Sequence, residues 1–428
     1  MSDQHTSLGL TADGIYQISL TREERLRHMA LFGMTGVGKT TLLAHIIAQD
    51  AARGDGLMFI DPNGDAAEQV LGLIPRHRAN QVCYLNLADL DFPVGFNVLE
   101  DVVPDTRDVL ASSIVSAFMH IWPDAFSPQA ERILLHTITA LIEAPSGTLM
   151  QIRRLLTDER YRVPIVERLQ SPISRAFFTH EFELWDAEFR ERCLSPILNK
   201  VDLFAASTAI RHTLGQPTST LHIEHAVNNA RIVIVNASKG LIGDKPAFLM
   251  GGLLLARIKA AGMARSKLPP ESRRPFHLIL DEAQSFATDA VVSLLTEARK
   301  YGLSVVLATQ YLKGLPPATQ AAIRGSLGTL VVFRVGVDDA QLFAPEFDRL
   351  HQEFNSTAFA ELGVGETMTR IPSWDGRMDV QSAPVAIVDP DIIKKQSRRH
   401  YSRPRRRVEP GILAALSARL TRADDSHY

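Results

Sequence analysis

Gly33-Met34-Thr35-Gly36-Val37-Gly38-Lys39-Thr40 spells G-x-x-x-x-G-K-[ST] in full, between an apolar run from Met29 to Phe32 and a helix-like stretch from Thr41 to Ala48. Glycines let such a loop turn its backbone N–H groups toward phosphate oxygens, the lysine reaches the β and γ oxygens, and the threonine hydroxyl coordinates Mg²⁺. The expected ligands are therefore ATP and Mg²⁺. The expected contacts are Gly33, Thr35, Gly36, Val37, Gly38, Lys39, Thr40 and Thr41, with Thr40 on the metal.

A phosphate loop names a ligand and not a task, so its partners must lie downstream. Phe276-His277-Leu278-Ile279-Leu280-Asp281-Glu282 reads as an apolar strand ending in two carboxylates. One acid can hold the metal's water shell while its neighbour activates an attacking water. Asp281 is assigned to the metal, through water, and Glu282 to the general base. Taken alone, such a pair could merely cap a helix. Leu303 to Gln310 is a second buried-type strand, ending in an amide that could sense the γ-phosphate or orient the water. The long stretch between Lys39 and Asp281 leaves room for a strand between the phosphate loop and the catalytic glutamate. That strand separates the additional-strand ATPases from small GTPases and nucleotide kinases.

These residues need a parallel sheet to position them. Apolar runs at Met29 to Phe32, Leu57 to Ile60 and Val82 to Leu85, the first two separated by a helix-like stretch, give α/β alternation. From about Pro104 the pattern changes to three-and-four spacing, at Val109 to Trp122, Gln129 to Ile142, Leu149 to Leu156, Val163 to Leu169 and Phe189 to Phe204. This predicts an all-helical insert. Strand texture returns at Arg231 to Asn236 and again at Thr329 to Val335, with a helix expected over Ala247 to Ala264. The expected organisation is a discontinuous nucleotide-binding domain (1–104 and 227–390), a helical insert (105–226) and a basic C-terminal tail (391–428).

Composition supports an ordinary globular chain: 428 residues, 45% apolar and 22% charged. With a net charge of −2, binding to nucleic acid must rest on local patches. One such patch is visible, where Lys394, Lys395, Arg398, Arg399, Arg403, Arg405, Arg406 and Arg407 occur without an intervening acid. It is either a solvated tail or a contact for a phosphate backbone, with His400 and Tyr401 available to stack on bases. Cys83 and Cys193 suggest neither zinc nor a disulfide framework, so reducing cytosol is the expected setting. No basic-then-apolar signal segment is visible, and the apolar run Ala247 to Ala256 meets Arg257 well short of a membrane span.

The motifs, in this order, resemble the FtsK/HerA superfamily of ring-forming DNA motors, and within it the conjugative coupling proteins of type IV secretion, the TraG/TraD-like branch. The resemblance runs from about Arg27 to Leu342. It is carried by Arg27 to Gly33 leading into the loop, Phe59-Ile60-Asp61-Pro62-Asn63-Gly64-Asp65, Leu280-Asp281-Glu282-Ala283, Glu297-Ala298-Arg299-Lys300-Tyr301-Gly302-Leu303, Ala308-Thr309-Gln310 and Gly328 to Val335. It implies a RecA-like P-loop NTPase motor domain of the additional-strand catalytic glutamate type, with an all-helical domain inserted. It further implies ATP hydrolysis in a hexamer that moves DNA, single- or double-stranded, with a bound relaxase.

By position Arg299 matches the arginine that such motors place in a neighbour's site, with Arg324 and Arg334 in reserve. Beside Lys300 at a helix end, Arg299 could instead simply complement the helix dipole. Two departures stand out. Membrane-anchored coupling proteins begin with transmembrane helices, which points here to a cytoplasmic form recruited to the inner membrane by an anchored partner. Asn63 stands where the family often has histidine, which leaves that turn with no expected role beyond shape. Two other readings share these residues: a secretion ATPase acting on protein alone, and a HerA-type cytosolic motor in repair or defence, whose usual N-terminal β-barrel hardly fits before Arg27.

Overall fold

The computed structural model describes residues 5–286, 288–350, 356–382 and 385–417, with backbone only at 348–350 and 417. Contacts divide the chain into two compact units, 1–84 with 223–237 and 261–397, and 85–222 with 238–260 and 398–428.

The first unit is built on one sheet. Its strands are β1 (His5–Thr11), β2 (Gln17–Thr21), β3 (His28–Phe32), β4 (Gly56–Asp61), β5 (Val82–Asn86), β6 (Ile232–Asn236), β7 (Phe276–Leu280), β8 (Leu303–Thr309), β9 (Leu327–Val332), β10 (Glu366–Ile371) and β11 (Trp374–Val380). Their order is β2-β1-β11-β10-β9-β3-β8-β7-β4-β6-β5. The central ladder from β9 through β3, β8, β7 and β4 to β6 is parallel. Every residue of β3, β4, β6, β7 and β8 is buried, which fits strands covered on both faces and explains their near-continuous apolar runs. The helix Lys39–Arg53 follows β3 and packs Leu42, Leu43, Ile46 and Ile47 into a core with Leu31, Phe59 and Val306. Strand β8 lies between β3 and β7, so the additional strand expected from sequence is present.

The antiparallel extension was not foreseen. β1 pairs with β2 and β11, and β10 joins β11 to β9. Trp374–Val380 is mostly half-buried or exposed and carries a glycine, so it lacks the unbroken apolar run that marks the central strands.

The second unit is largely helical. Arg107–Ile121, Pro128–Glu143, Glu159–Glu167 and Ala187–Ala206 fall where three-and-four spacing predicted helices. Ser127, Asp158 and Asp186 cap three of them by accepting from the backbone N–H groups of Ala130, Tyr161 and Phe189. The basic segment departs from the solvated-tail alternative over its described residues, which form the helices Pro390–Tyr401 and Arg405–Ser417; 418–428 lie outside them. Amphipathic spacing of Ile393, Val408 and Ile412, all buried, accounts for the difference.

The apolar run read as too short for a membrane extends into a longer helix. Among the described residues, Asp244–Lys267 alone is long and apolar enough to cross a bilayer, and 78% of its apolar window is buried within the protein.

Candidate nucleotide site

The phosphate loop leaves the end of β3 and enters the Lys39–Arg53 helix at Gly38. That glycine sits at φ 114°, a conformation that L side chains rarely adopt, and its neighbour Gly36 sits at 80°. The turn aims the positive end of a 15-residue helix into a cleft of about 310 Å³. Thr35, Gly36, Gly38, Lys39, Thr40, Thr41, Asn63, Asp281, Glu282, Thr309, Gln310 and Val364 line it.

Three adjacent strands thus deliver their carboxyl ends to one place: β3 the loop, β7 the two acids, β8 Thr309 and Gln310. Of the predicted loop contacts, Gly33 and Val37 do not line the cleft. Gly33 N donates to Thr309 O at 3.3 Å, and Val37 is buried, its carbonyl accepting from Gly365 N at 2.9 Å. Both shape the loop from behind.

Lys39 Nζ donates to two carbonyls of its own loop, Gly33 O at 2.6 Å and Met34 O at 2.7 Å. Burial lowers its pKa, against the opposing pull of Asp281 and Glu282. Asp281 is pushed up to about 6, first by burial and then by the nearby Asp61 carboxylate. Glu282 occupies a left-handed backbone position, φ 46°, at a strain of roughly 1–2 kcal/mol for a residue with a Cβ. Its N–H donates to Asp281 Oδ1 at 3.0 Å.

The donor set fits a nucleoside triphosphate with a divalent cation. A polarised helix end and a lysine meet negative phosphates, and a cation beside Asp281 would restore the ionised form that burial disfavours.

Sequence reasoning missed three contributors. Thr309 Oγ1 donates to Gln284 Oε1 at 2.8 Å and ties the end of β8 to the turn after β7. Asn63 Nδ2 donates to Glu282 Oε1 at 3.0 Å. Val364, 72% exposed, reaches the cleft from the loop that packs on Val37. Of these, Thr309 and Asn63 lay in stretches that had been noticed, and their chemistry became visible only with their partners beside them.

None of the three candidate finger arginines lines the cleft. Arg299 stands at the opposite end of β8, half-exposed and 3.5 Å from Glu23. Arg324 is exposed, and Arg334 follows β9 with its carbonyl accepting from Met34 N at 2.9 Å.

That opposite end of the sheet holds a second polar cluster. Asp50, fully buried, pairs with Arg25 at 2.5 Å and with Arg53. Asp55 pairs with Arg22 and Arg53, each at 3.2 Å, and lies 3.7 Å from His277 Nε2. Burial would raise the Asp55 carboxyl, but His277, Arg53 and Arg22 outweigh it and hold it at about 2. His277 Nδ1 meets Ser304 Oγ at 2.7 Å. Asp50, Asp55 and His277 lie close enough to share a cation, yet guanidinium groups already occupy the carboxylates. The cluster reads as a structural ion-pair network.

Residues 11–183 match the family described as "Helicase HerA, central domain". No curated protein matches the chain by sequence. Among solved structures, the bacterial conjugative coupling protein TrwB shares 18% identity over 91% of this chain and 92% of its own, with a TM-score of 0.62. TrwB in complex with ADP and Mg²⁺ aligns with the same score over 89% of this chain. VirB4 of Thermoanaerobacter pseudethanolicus shares 14% identity over 89% of this chain and 97% of its own, with a TM-score of 0.62. At these identities the likeness is one of fold, the RecA-like P-loop NTPase fold.

Proposed function

For a chain whose residues 11–183 match the HerA central-domain family and whose fold is shared with TrwB and VirB4, we propose that it hydrolyses ATP to move DNA through a ring of its own copies, as a coupling protein of conjugative type IV secretion. One observation carries this reading. The loop lysine, the paired acids and the strand-end glutamine, far apart in sequence, converge on one cleft.

In the proposed mechanism the loop N–H groups and Lys39 bind the phosphates of ATP, Lys39 exchanging its bonds to Gly33 O and Met34 O for γ-phosphate oxygens. Thr40, and Asp281 through water, would hold Mg²⁺, which would supply neutralisation of charge building on the phosphates. Glu282 takes the proton of the attacking water, and Gln310 orients that water or senses the γ-phosphate. The cleft contains no arginine among its described lining residues, so an arginine that joined Lys39 in stabilising the transition state would come from outside it. Arg299 of an adjacent copy fills that role, which makes hydrolysis depend on ring assembly, as a hexamer. The cell setting is cytoplasmic, with recruitment to the inner membrane through an anchored partner, and the helical insert (105–226) receives relaxase or other cargo protein.

Nucleic acid as the cargo is supported by the basic helices, where Lys395, Arg399, Arg406 and Arg407 are exposed and make no ion pair among the described residues. Such contacts bind phosphates without reading sequence and weaken steeply with salt. A second reading, a secretion ATPase acting on protein alone, and a third, a HerA-type cytosolic motor, would use the same residues of the cleft.

ATPase rate measured against single-stranded and duplex DNA at two salt concentrations, with oligomeric mass recorded alongside, separates them. DNA-stimulated, salt-sensitive turnover in a ring supports translocation. Turnover indifferent to DNA but raised by a secretion-channel protein transfers the case to the second reading, and a protein that stays monomeric with ATP and DNA present defeats both.

A further inference from the structure

The turn Asp61-Pro62-Asn63-Gly64-Asp65 has no chemical part in the reading above, yet the fold sets Asn63 against the group assigned as base. Asn63 Nδ2 donates to Glu282 Oε1 at 3.0 Å across a separation of 219 residues. The approach follows from strand register. Ile60 pairs with Leu280 in the β4–β7 ladder, and Asp281 N donates to Ile60 O at 3.1 Å. The first residues beyond the two strand ends must therefore meet.

The turn is also held firmly from beneath. Asp61, 1% exposed, accepts from Asn63 N at 2.8 Å with one carboxylate oxygen and from Ala67 N at 2.9 Å with the other. Gly64 sits at φ 103°, and a Cβ there would stand 2.4 Å from Asn236 Oδ1, so the chain closes this way only with glycine. Asn63 thus presents its amide from a fixed support.

We infer that Asn63 is a positioning residue for Glu282: its amide N–H pins one carboxylate oxygen and so fixes the orientation in which the carboxylate meets the attacking water. The inference rests on Glu282 being the base. A glutamate freezes three side-chain torsions when it is held for catalysis, and a hydrogen bond to the charged carboxylate offsets that entropy. A neutral amide suits the task better than a lysine or arginine, because it orients the carboxylate while withdrawing less of its affinity for a proton.

The test is steady-state ATP turnover of the full chain together with affinity for a non-hydrolysable ATP analogue. Asn63→Asp keeps the size but replaces the donor with a like charge, and kcat is expected to fall about 100-fold with KM and analogue affinity unchanged. Asn63→Ala is expected to lose about 10-fold, and Asn63→His, which restores an N–H donor, to stay within about threefold of the parent. In the Glu282→Gln background, Asn63→Asp is expected to add nothing, because its effect passes through the missing carboxylate.

Parent-level or raised turnover in Asn63→Asp, or a further loss in the Glu282→Gln background, overturns the inference. So does an equal fall in kcat and analogue affinity. Should Asn63→Asp fail to fold by thermal melting, the Ala and His variants carry the same comparison. Parent-level turnover in Glu282→Gln alone removes the premise instead, and so is told apart from failure of the Asn63 assignment.

Discussion

At the amino ends of β3, β7 and β8, Arg25, Arg53, Asp50, Asp55, His277 and Ser304 bind one another, whereas at the carboxyl ends of the same strands Lys39, Asp281 and Glu282 face an open cleft. Both ends put charge where water is scarce. At the first, each carboxylate has a guanidinium within 3.2 Å or less, so the charges are saturated and the network can only hold parts together. At the second, the lysine rests on its own carbonyls and Asp281 is raised to about 6 by burial and by Asp61. Charge that faces a cavity is a candidate binding site, and charge paired inside a core is scaffold.

The strongest way to break this contrast uses a residue that stands at the scaffold end and is assigned to catalysis. Lys39→Ala should abolish turnover, and Arg299→Ala should lower it by about 10³-fold or more, measured as steady-state phosphate release. Rings mixed from the two variants should regain part of the activity, because one copy's intact Arg299 then meets another's intact Lys39. No recovery at any mixing ratio would return Arg299 to a surface role as the partner of Glu23.

Glu282→Gln should bind ATP normally and turn it over about 10²- to 10⁴-fold more slowly. Trapped nucleotide in rapid filtration is the readout, and parent-level turnover would move the base elsewhere. Asp50→Asn probes the opposite end. It should cost about 3–5 kcal/mol of stability by leaving Arg25 buried with a weakened partner, while KM for ATP in the folded fraction stays at the parent value. Denaturant unfolding and KM measured together decide whether the two ends are separable, since a KM shift would join them.

The smallest expected effect is on stability with pH. His28 accepts from Val305 N at 3.0 Å, and burial, helped by Arg299, holds its pKa down to about 4. Its folded value lies below its unfolded value of about 6.5, so the unfolded chain takes up the proton first. Stability from this group is complete above pH ~6.5 and is lost as pH falls toward 4, to a limit on the order of 3 kcal/mol. Burial lowers His277 too and acts in the same sense. His28→Gln should flatten that part of the stability profile, and an unchanged profile would shift the acid sensitivity to other groups.

The sequence alone determined whatever rests on neighbouring residues. The loop from Gly33 to Thr40, the acid pair after an apolar strand and the glutamine after another are contiguous patterns, and their chemistry follows from residue type and spacing. The buried strands could be read because cover on both faces demands unbroken apolar runs. His277 shows the limit. Inside the run Phe276 to Leu280 it looks like one more buried position, and its tie to Ser304, with Asp55 beside it, exists only through the pairing of adjacent strands and the end of the helix that follows the loop.

Tertiary structure decided the rest for the same reason. Register between β4 and β7 put Asn63 on Glu282, strand order slid β8 between the loop and the acids, and antiparallel pairing gave the half-exposed β11 a place that its own residues do not announce. Local sequence sets what each segment can be and what its side chains can do. Which of them meet is fixed by hydrogen-bonded ladders and packing between segments far apart in the chain, and no window of residues contains that information.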